Sequence, residues 1–388
     1  MVTDAEVQAH IDRLVDELKS KGAIRTEAVE RAMRAVPRHL LVERYFDDDL
    51  RRFVDVRPED TAELARIYSD RVLLTRRPDL KTLDDYKRAK MSSSSQPTIM
   101  AIMLEELRLE AGMRILEIGA GTGYNAALMA EIVGDQRLIT TIDIQDDVVE
   151  QTQRLLRGAG YGGIKVMAGD GFFGWVDGAP YDRIVATVGC SDLSPHWFSQ
   201  LANGGSVLVP LEQGVNEPLV HAWVDDGRVY ARFAGWAGFM PIHGELFDED
   251  NPQFRSVVTS DVIEEPAWPG FDARTELSPF RYFVGLRDRR AFSGGTGLWQ
   301  SPQAWVTLKQ GGFSRRGSPA LAEELRALYD SWVSLGRPQP WDFEFEFVPR
   351  PIGRPPSGSE WTVERKFFIQ HVRLSHGKQP PGYCPPGG

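Results

Sequence analysis

The sequence predicts an α/β protein: a doubly wound sheet with an antiparallel edge hairpin, N-terminal helices and an added α+β C-terminal region. Three observations carry that prediction. A short apolar strand, Ile115 to Ile118, runs directly into Gly119, Gly121 and Gly123, and a helical pattern opens at Asn125. Two further apolar strands, over 138–142 and 164–167, also end at acids, Asp143 and Asp170. A fourth and a fifth strand, over 183–188 and 206–210, are separated by a helical stretch, and strands alternating with helices indicate a parallel sheet. The hairpin is expected from 219–224 and 228–233 across Asp226-Gly227.

The glycine spacing selects the cofactor. Glycine tolerates positive φ and lets a ligand approach the backbone, and the amides at a helix start face polar or anionic groups. A dinucleotide fingerprint needs a third glycine three places after the second, where this chain has Tyr124. Gly-x-Gly-x-Gly behind Leu116-Glu117-Ile118 is instead the pattern of S-adenosylmethionine (AdoMet) methyltransferases, a Rossmann-like fold. Asp143 can accept hydrogen bonds from a ribose diol. Asp170 and the neighbouring backbone of Gly171 can hold an adenine edge. Cofactor contacts are therefore expected at Glu117, Gly119, Gly121, Asp143, Ile144, Asp170 and Gly171.

Composition narrows the class. At 388 residues and 42% hydrophobic, the chain can bury a sizeable core in two or three domains. The net charge is −10, and residues 91–250 hold 22 acids against nine bases. Phosphate backbones reward clustered Lys and Arg, so no nucleic-acid partner is expected. No early apolar run suits a signal peptide and none would span a membrane; a cytoplasmic protein is expected. Two cysteines, Cys190 and Cys384, exclude a disulfide framework or a zinc cluster, and no metal is expected.

In chain order, residues 4–20 and 27–36 have helical spacing, and Pro37 ends the second helix. Residues 43–90 form a charged, mixed insert in which 68–74 could be a short strand. Residues 92–95 are a serine run, which often means a flexible linker, yet it leads into an apolar helix with Pro97 in its first turn. Beyond 245, residues 279–290 and 304–308 read as strands and 321–335 as a helix. Phe343, Phe345 and Phe347 alternate with acids, 361–374 reads as a closing strand, and 379–388 as a disordered tail. The expected domains are residues 1–90, 91–245 and 246–378.

Several separated motifs resemble one family, the protein-L-isoaspartate O-methyltransferases. They are Val36-Pro37-Arg38, Ser95-Gln96-Pro97, residues 116–127, Gly169-Asp170-Gly171, Pro180-Tyr181-Asp182, Gln200-Leu201, Gly204-Gly205 and Val209-Pro210, in the family's order over roughly residues 30–215. The resemblance implies methyl transfer from AdoMet, leaving S-adenosylhomocysteine, to an isoaspartyl carboxylate in a peptide or protein. It implies Ser95 as the active-site serine and Gln96 to Ile99, Gln96 and Thr98 among them, as the adjoining cofactor stretch; Ser94 and Val188 are further candidates for substrate contact.

The chain departs from the compact repair enzymes through its insert and about 140 added residues. In this it looks like enlarged members from ribosomal peptide (lanthipeptide and graspetide) pathways, which methylate an aspartate whose ester then closes to succinimide. The added region carries Arg281, Arg287, Arg289 and Arg290, which suit an acidic peptide, or else serve a packing or dimerisation module. A carboxylate nucleophile is ionised at neutral pH and needs no general base, so His39, His196 and His221 are expected to be structural. The competing readings are general isoaspartyl repair and a catalytically silent AdoMet-binding protein. The substrate peptide and the oligomeric state stay open at this level.

Overall fold

The computed structural model describes residues 4–57, 61–78, 91–214, 217–248, 257–291, 296–309, 311–350 and 361–375. The tail expected to be disordered, 379–388, and Cys384 lie outside them. The chain forms two compact units. The first comprises Met1–Val188, Ser194–Leu208 and His243–Glu245; the second comprises Gly189–Leu193, Val209–Ile242 and Leu246–Gly388.

The first unit opens with α1 (Asp4–Ser20) and α2 (Glu27–Ala35), which bury the apolar faces read from the sequence, including Leu14, Leu18, Val29 and Met33. Thr26 caps α2 by accepting from the Val29 amide. Buried Glu105 accepts from the Arg25 and Thr26 amides and so ties this corner to α4 (Pro97–Leu107). Within the insert lie β1 (Arg44–Asp47) paired with β2 (Arg52–Asp55), the short α3 (Thr61–Ile67), and β3 (Leu73–Arg76).

The serine run is not a linker: Ser92–Ser94 form β4, antiparallel to β3, and Pro97 sits in the first turn of α4 as expected. The core sheet follows as β5 (Ile115–Ile118), β6 (Ile139–Asp143), β7 (Lys165–Ala168), β8 (Tyr181–Ala186) and β9 (Leu201–Pro210), with α5 (Tyr124–Val133), α6 (Asp146–Gly158) and the short α7 (Pro195–Ser199) between strands. All pairings among these strands are parallel, in the order β9-β8-β5-β6-β7. Successive strands spread in opposite directions from β5, so the carboxyl end of β5 is the topological switch point where such sheets bind ligands. That is where the glycine turn stands.

The second unit carries the hairpin β10 (Glu217–Asp225) and β11 (Arg228–Ala237). Asp226 and Gly227 both adopt left-handed φ, 46° and 71°, as a two-residue hairpin turn requires. The ladder continues from β11 through β16 (Phe343–Pro349), β18 (Phe368–Leu374) and β17 (Trp361–Glu364). Residues 361–374 are thus two strands with a turn between them, not one. A second sheet runs β12 (Ile263–Pro266), β15 (Gly312–Arg316), β14 (Ala304–Lys309), β13 (Thr296–Ser301).

Residues 279–290 correct the sequence reading: they lie largely in the helix α8 (Ala273–Arg287), with Pro279 inside it. The aromatic run misleads because this helix is enclosed. Phe280 packs with Tyr329 and Trp332 of α9 (Ala320–Ser334), whereas Tyr282 and Phe283 pack with Phe343 and Trp361. A helix buried on more than one side loses the amphipathic period that marks it. Cys190 is fully buried, and burial pushes its thiol well up, so it is inert. Among the described residues no helix is long and apolar enough to cross a membrane, and no cluster of His, Cys, Asp or Glu could hold a metal.

Candidate active site

The site is built around the turn after β5. Gly119, Gly121 and Gly123 have φ of 98°, 53° and 81°, which L-residues rarely adopt. Space is as restrictive as backbone geometry. A Cβ on Gly121 would lie 2.9 Å from the Ser93 carbonyl oxygen, and one on Gly119 would lie 2.7 Å from Thr187 Oγ1. Thr187 donates to the Gly119 carbonyl and Thr152 to the Gly121 carbonyl, each at 2.8 Å, and these bonds hold the turn open. Val188 abuts Gly119, its Cγ1 3.1 Å from where a Cβ would stand.

The serine strand lies against this turn through Ser93, and the Met91 carbonyl accepts from Gln145 Nε2 beside Asp143. The residues that fasten the strand were given no role by sequence. Arg38 is 0% exposed and donates to Ser94 Oγ, to the Ser94 and Ser95 carbonyls, and to the carbonyls of Ile67, Ser69 and Arg71. Burial pushes its guanidinium down to about 10, which leaves it charged at neutral pH. Its signal in the sequence is Val36-Pro37-Arg38, a motif that names the residue without its partners.

Asp70 is the second such residue. It accepts from Thr98 N (2.9 Å), Thr98 Oγ1 (2.6 Å), Gln96 Nε2 (3.2 Å) and Lys21 Nζ (2.7 Å), and so caps α4 from a distant loop. Burial raises its carboxyl, but the bonds from Lys21 and Thr98 outweigh that and hold it below its usual range. Gln96 and Thr98, expected at the cofactor, thus have their polar side chains hydrogen-bonded to Asp70. Ser94, expected near substrate, is 2% exposed, and its hydroxyl accepts from Arg38. Ser95 is half-buried; its carbonyl is held by Arg38, and its hydroxyl makes no hydrogen bond to the described residues.

The expected cofactor residues come together at the strand ends. Asp143 ends β6, accepts from the Ala120 and Gln145 amides, and has its carboxyl raised by burial. Next to it Ile144 is 41% exposed, an apolar surface suited to a flat ring. Asp170 accepts from the Phe172 and Glu245 amides, so both of its oxygens already shape the loop. Gly171 is required because a Cβ there would meet Ile118 Cγ2 at 2.2 Å. Glu117 is 1% exposed, accepts from Asn125 Nδ2 and Thr141 Oγ1 at 2.7 Å each, and is pushed up to about 7 by burial. Asn125 Oδ1, in the first turn of α5, is buried with no partner, an acceptor that an ammonium group could satisfy. These features fit AdoMet: a glycine cradle, a carboxylate at the second strand end, exposed apolar surface beside it and an orphaned acceptor at the helix start.

The four arginines expected to face an acidic peptide have separate partners or surroundings. Arg287 stacks over Trp361 at 4.6 Å, Arg290 pairs with Asp288 and Glu324, and Arg289 donates to the Glu364 carbonyl. Arg281 is partly buried in α8, where burial lowers its guanidinium. His39, His196 and His221 each sit against neighbouring aromatic rings, as structural residues would.

The family protein-L-isoaspartate(D-aspartate) O-methyltransferase (PCMT) matches residues 82–245. A protein-L-isoaspartate O-methyltransferase of Methanopyrus kandleri is 33% identical over 236 residues, 60% of this chain and 91% of that enzyme. One from Thermotoga maritima is 38% identical over 148 residues, 38% of this chain and 44% of that enzyme. A solved protein-L-isoaspartate O-methyltransferase superposes with a TM-score of 0.56 at 24% identity, covering 94% of this chain and 99% of its own. The chain belongs to the protein-L-isoaspartate O-methyltransferase family, AdoMet-dependent carboxyl methyltransferases.

Proposed function

We propose that the chain methylates an isoaspartyl or aspartyl carboxylate in a peptide or protein, giving a methyl ester whose carbonyl is then attacked by the following backbone amide nitrogen, closing a succinimide with loss of methanol. The observation that carries this reading is the Ser95 hydroxyl, without a hydrogen bond to the described residues, just past a strand laid against the glycine turn and with its backbone held by Arg38. AdoMet, when bound, supplies an electrophilic methyl group. The chain's own part is alignment. Ser95 donates to one carboxylate oxygen, which leaves the other as nucleophile, and a single neutral donor orients the group without blunting it. Good alignment is worth roughly 7–11 kcal/mol of barrier. No base is required, since a carboxylate of ordinary pKa is already ionised.

A dedicated role in ribosomal peptide tailoring drew its support from the added C-terminal region. A solved protein-L-isoaspartate O-methyltransferase matches 94% of this chain, so that region is compatible with either role. Rates on a linear isoaspartyl peptide and on a constrained, aspartyl-bearing cyclic peptide separate them. Fast turnover of the linear peptide supports repair, and turnover of the constrained one alone supports tailoring. Ser95→Ala should lower kcat by about ten- to a hundredfold, the loss of one bond to a charged group, while AdoMet affinity by calorimetry stays put. An unchanged kcat would remove Ser95 from the reaction.

A further inference from the structure

Helix α4 begins at Pro97, just past Ser95 and Gln96, and its own chain leaves that start uncapped. Gln96, at the cap position, makes no side-chain bond to the helix, and Pro97 has no N–H to give. The first amide to be satisfied is that of Thr98, and the opening turn of a helix needs an acceptor from outside it. Asp70 supplies one from a loop 28 positions upstream, its Oδ1 taking the Thr98 amide at 2.9 Å. Its Oδ2 takes Thr98 Oγ1, Gln96 Nε2 and Lys21 Nζ at 2.6, 3.2 and 2.7 Å. A carboxylate at this end of a helix also meets the positive end of the helix dipole.

The same loop seats the serine from its other side. The Ser69 and Arg71 carbonyls, flanking Asp70, accept from Arg38, which also holds the Ser95 carbonyl. Leu73 pairs with Ser94 in the ladder between β3 and β4. The loop is itself tight, with the Arg71 amide donating to the Ser69 carbonyl at 2.9 Å. Ser95 therefore lies between two grips that meet in residues 69–73. Before it stand the ladder and the guanidinium, and after it stands the Asp70 carboxylate. The Asp70 side chain is 6% exposed, so water competes little for its bonds, and Lys21 supplies the charge that a buried carboxylate needs. With four donors already on it, this carboxylate is placed to orient the chain and not to react.

We propose that Asp70 is a positioning residue for methyl transfer: by capping α4 it fixes the backbone that follows Ser95, and with it the direction in which the Ser95 hydroxyl is presented. This role rests on the reading of Ser95 as the donor that orients the substrate carboxylate. It carries its own bound. A residue that acts through Ser95 can cost at most what loss of the Ser95 hydroxyl costs, and it costs nothing once that hydroxyl is gone.

The test is a double-variant cycle on the full chain, with initial rates on an isoaspartyl peptide at saturating AdoMet, well below the Tm of each variant. Asp70→Ala should lower kcat by about tenfold or more, yet no further than Ser95→Ala does. The AdoMet Kd by calorimetry should stay within about twofold of wild type. Asp70→Asn keeps an acceptor for the Thr98 amide and should recover part of the loss. On a Ser95→Ala background, Asp70→Ala should change kcat by less than about twofold, since residues acting as a unit do not add. Hydrogen exchange over residues 92–101, read by mass spectrometry, should quicken in Asp70→Ala. If that variant fails to fold, Thr98→Val removes one of the same bonds at matched volume, and its loss in kcat should likewise vanish behind Ser95→Ala. A lowered Tm with wild-type kcat, losses that multiply in the double variant, or unchanged exchange over 92–101 would each overturn the proposal. Wild-type kcat in Ser95→Ala refutes the reading of the serine and the role of Asp70 with it. A slowed Ser95→Ala beside a wild-type Asp70→Ala refutes Asp70 alone.

Discussion

Replacing Arg38 by methionine should both destabilise the protein and slow methyl transfer. The side chain is wholly buried and its six hydrogen bonds divide evenly. Three reach the end of α3 and the loop after it, at Ile67, Ser69 and Arg71, and three reach the end of the serine strand and the residue after it, at Ser94 and Ser95. Each bond to a charged donor is worth about 1.5–3 kcal/mol before the cost of burying the guanidinium is set against it. That cost is real here, since burial lowers the guanidinium to about 10 even though Tyr124, Tyr68 and Asp70 act the other way. Leaving a buried carbonyl unsatisfied costs about 1–3 kcal/mol, offset in part because a buried cation is removed, and we expect Arg38→Met to lose a few kcal/mol net. Methionine fills much of the volume, so the loss reports the stranded carbonyls and not a cavity. The serine strand loses its clamp in the same step. A displacement of about 1 Å at a reacting group can cost a hundredfold in rate, and kcat should fall by about that much. Urea unfolding and initial rates at saturating AdoMet measure the two effects. Arg38→Lys should fall between, because one ammonium cannot span both segments as the planar fork does. A folded Arg38→Met variant within about 1 kcal/mol of wild type, turning over normally, would refute the clamp.

Asp143→Ala should weaken AdoMet binding by about 1–3 kcal/mol by calorimetry, and equal affinity would take this carboxylate out of the site. Because burial raises its carboxyl, wild-type affinity should decline as pH falls toward that raised value, and Asp143→Asn should lose this dependence. Glu117 sets a stability profile. Its carboxyl is pushed up to about 7 from an ordinary 4.5, so the folded state holds the proton more tightly than the unfolded chain. Its contribution is complete below pH 4.5 and is lost as pH rises through about 7, a change of about 3 kcal/mol. Urea melts of the cofactor-free protein across that window should show less of this decline in Glu117→Gln, and an identical slope would show that Glu117 does not titrate there.

How much of this was legible in the sequence follows from the range of the forces involved. The β5 turn was readable because its determinants are local: positive φ at Gly119, Gly121 and Gly123 admits few alternatives, and apolar runs mark β5, β6 and β8. The Asp226-Gly227 hairpin was readable for the same reason. Family motifs added Ser95, since a motif keeps the order of residues even where their contacts are distant. What the sequence could not supply was the pairing across gaps. Arg38 meets Ser95 over 57 positions and Asp70 meets Thr98 over 28, and no periodicity links such residues. Helix α8 escaped because burial on more than one side erases the polar face by which a helix is recognised. Gln213 carried no signal either. A glutamine in a sequence is ordinary, and only tertiary packing of Gly214 against Gly285 makes it a buried amide with neither partner met. By itself the sequence determined the sheet, the cofactor turn and the class of chemistry, through steric rules that act over a few residues. The tertiary structure decided which polar groups are held, which are closed off and which are left open, because burial and hydrogen-bond satisfaction exist only once distant segments meet.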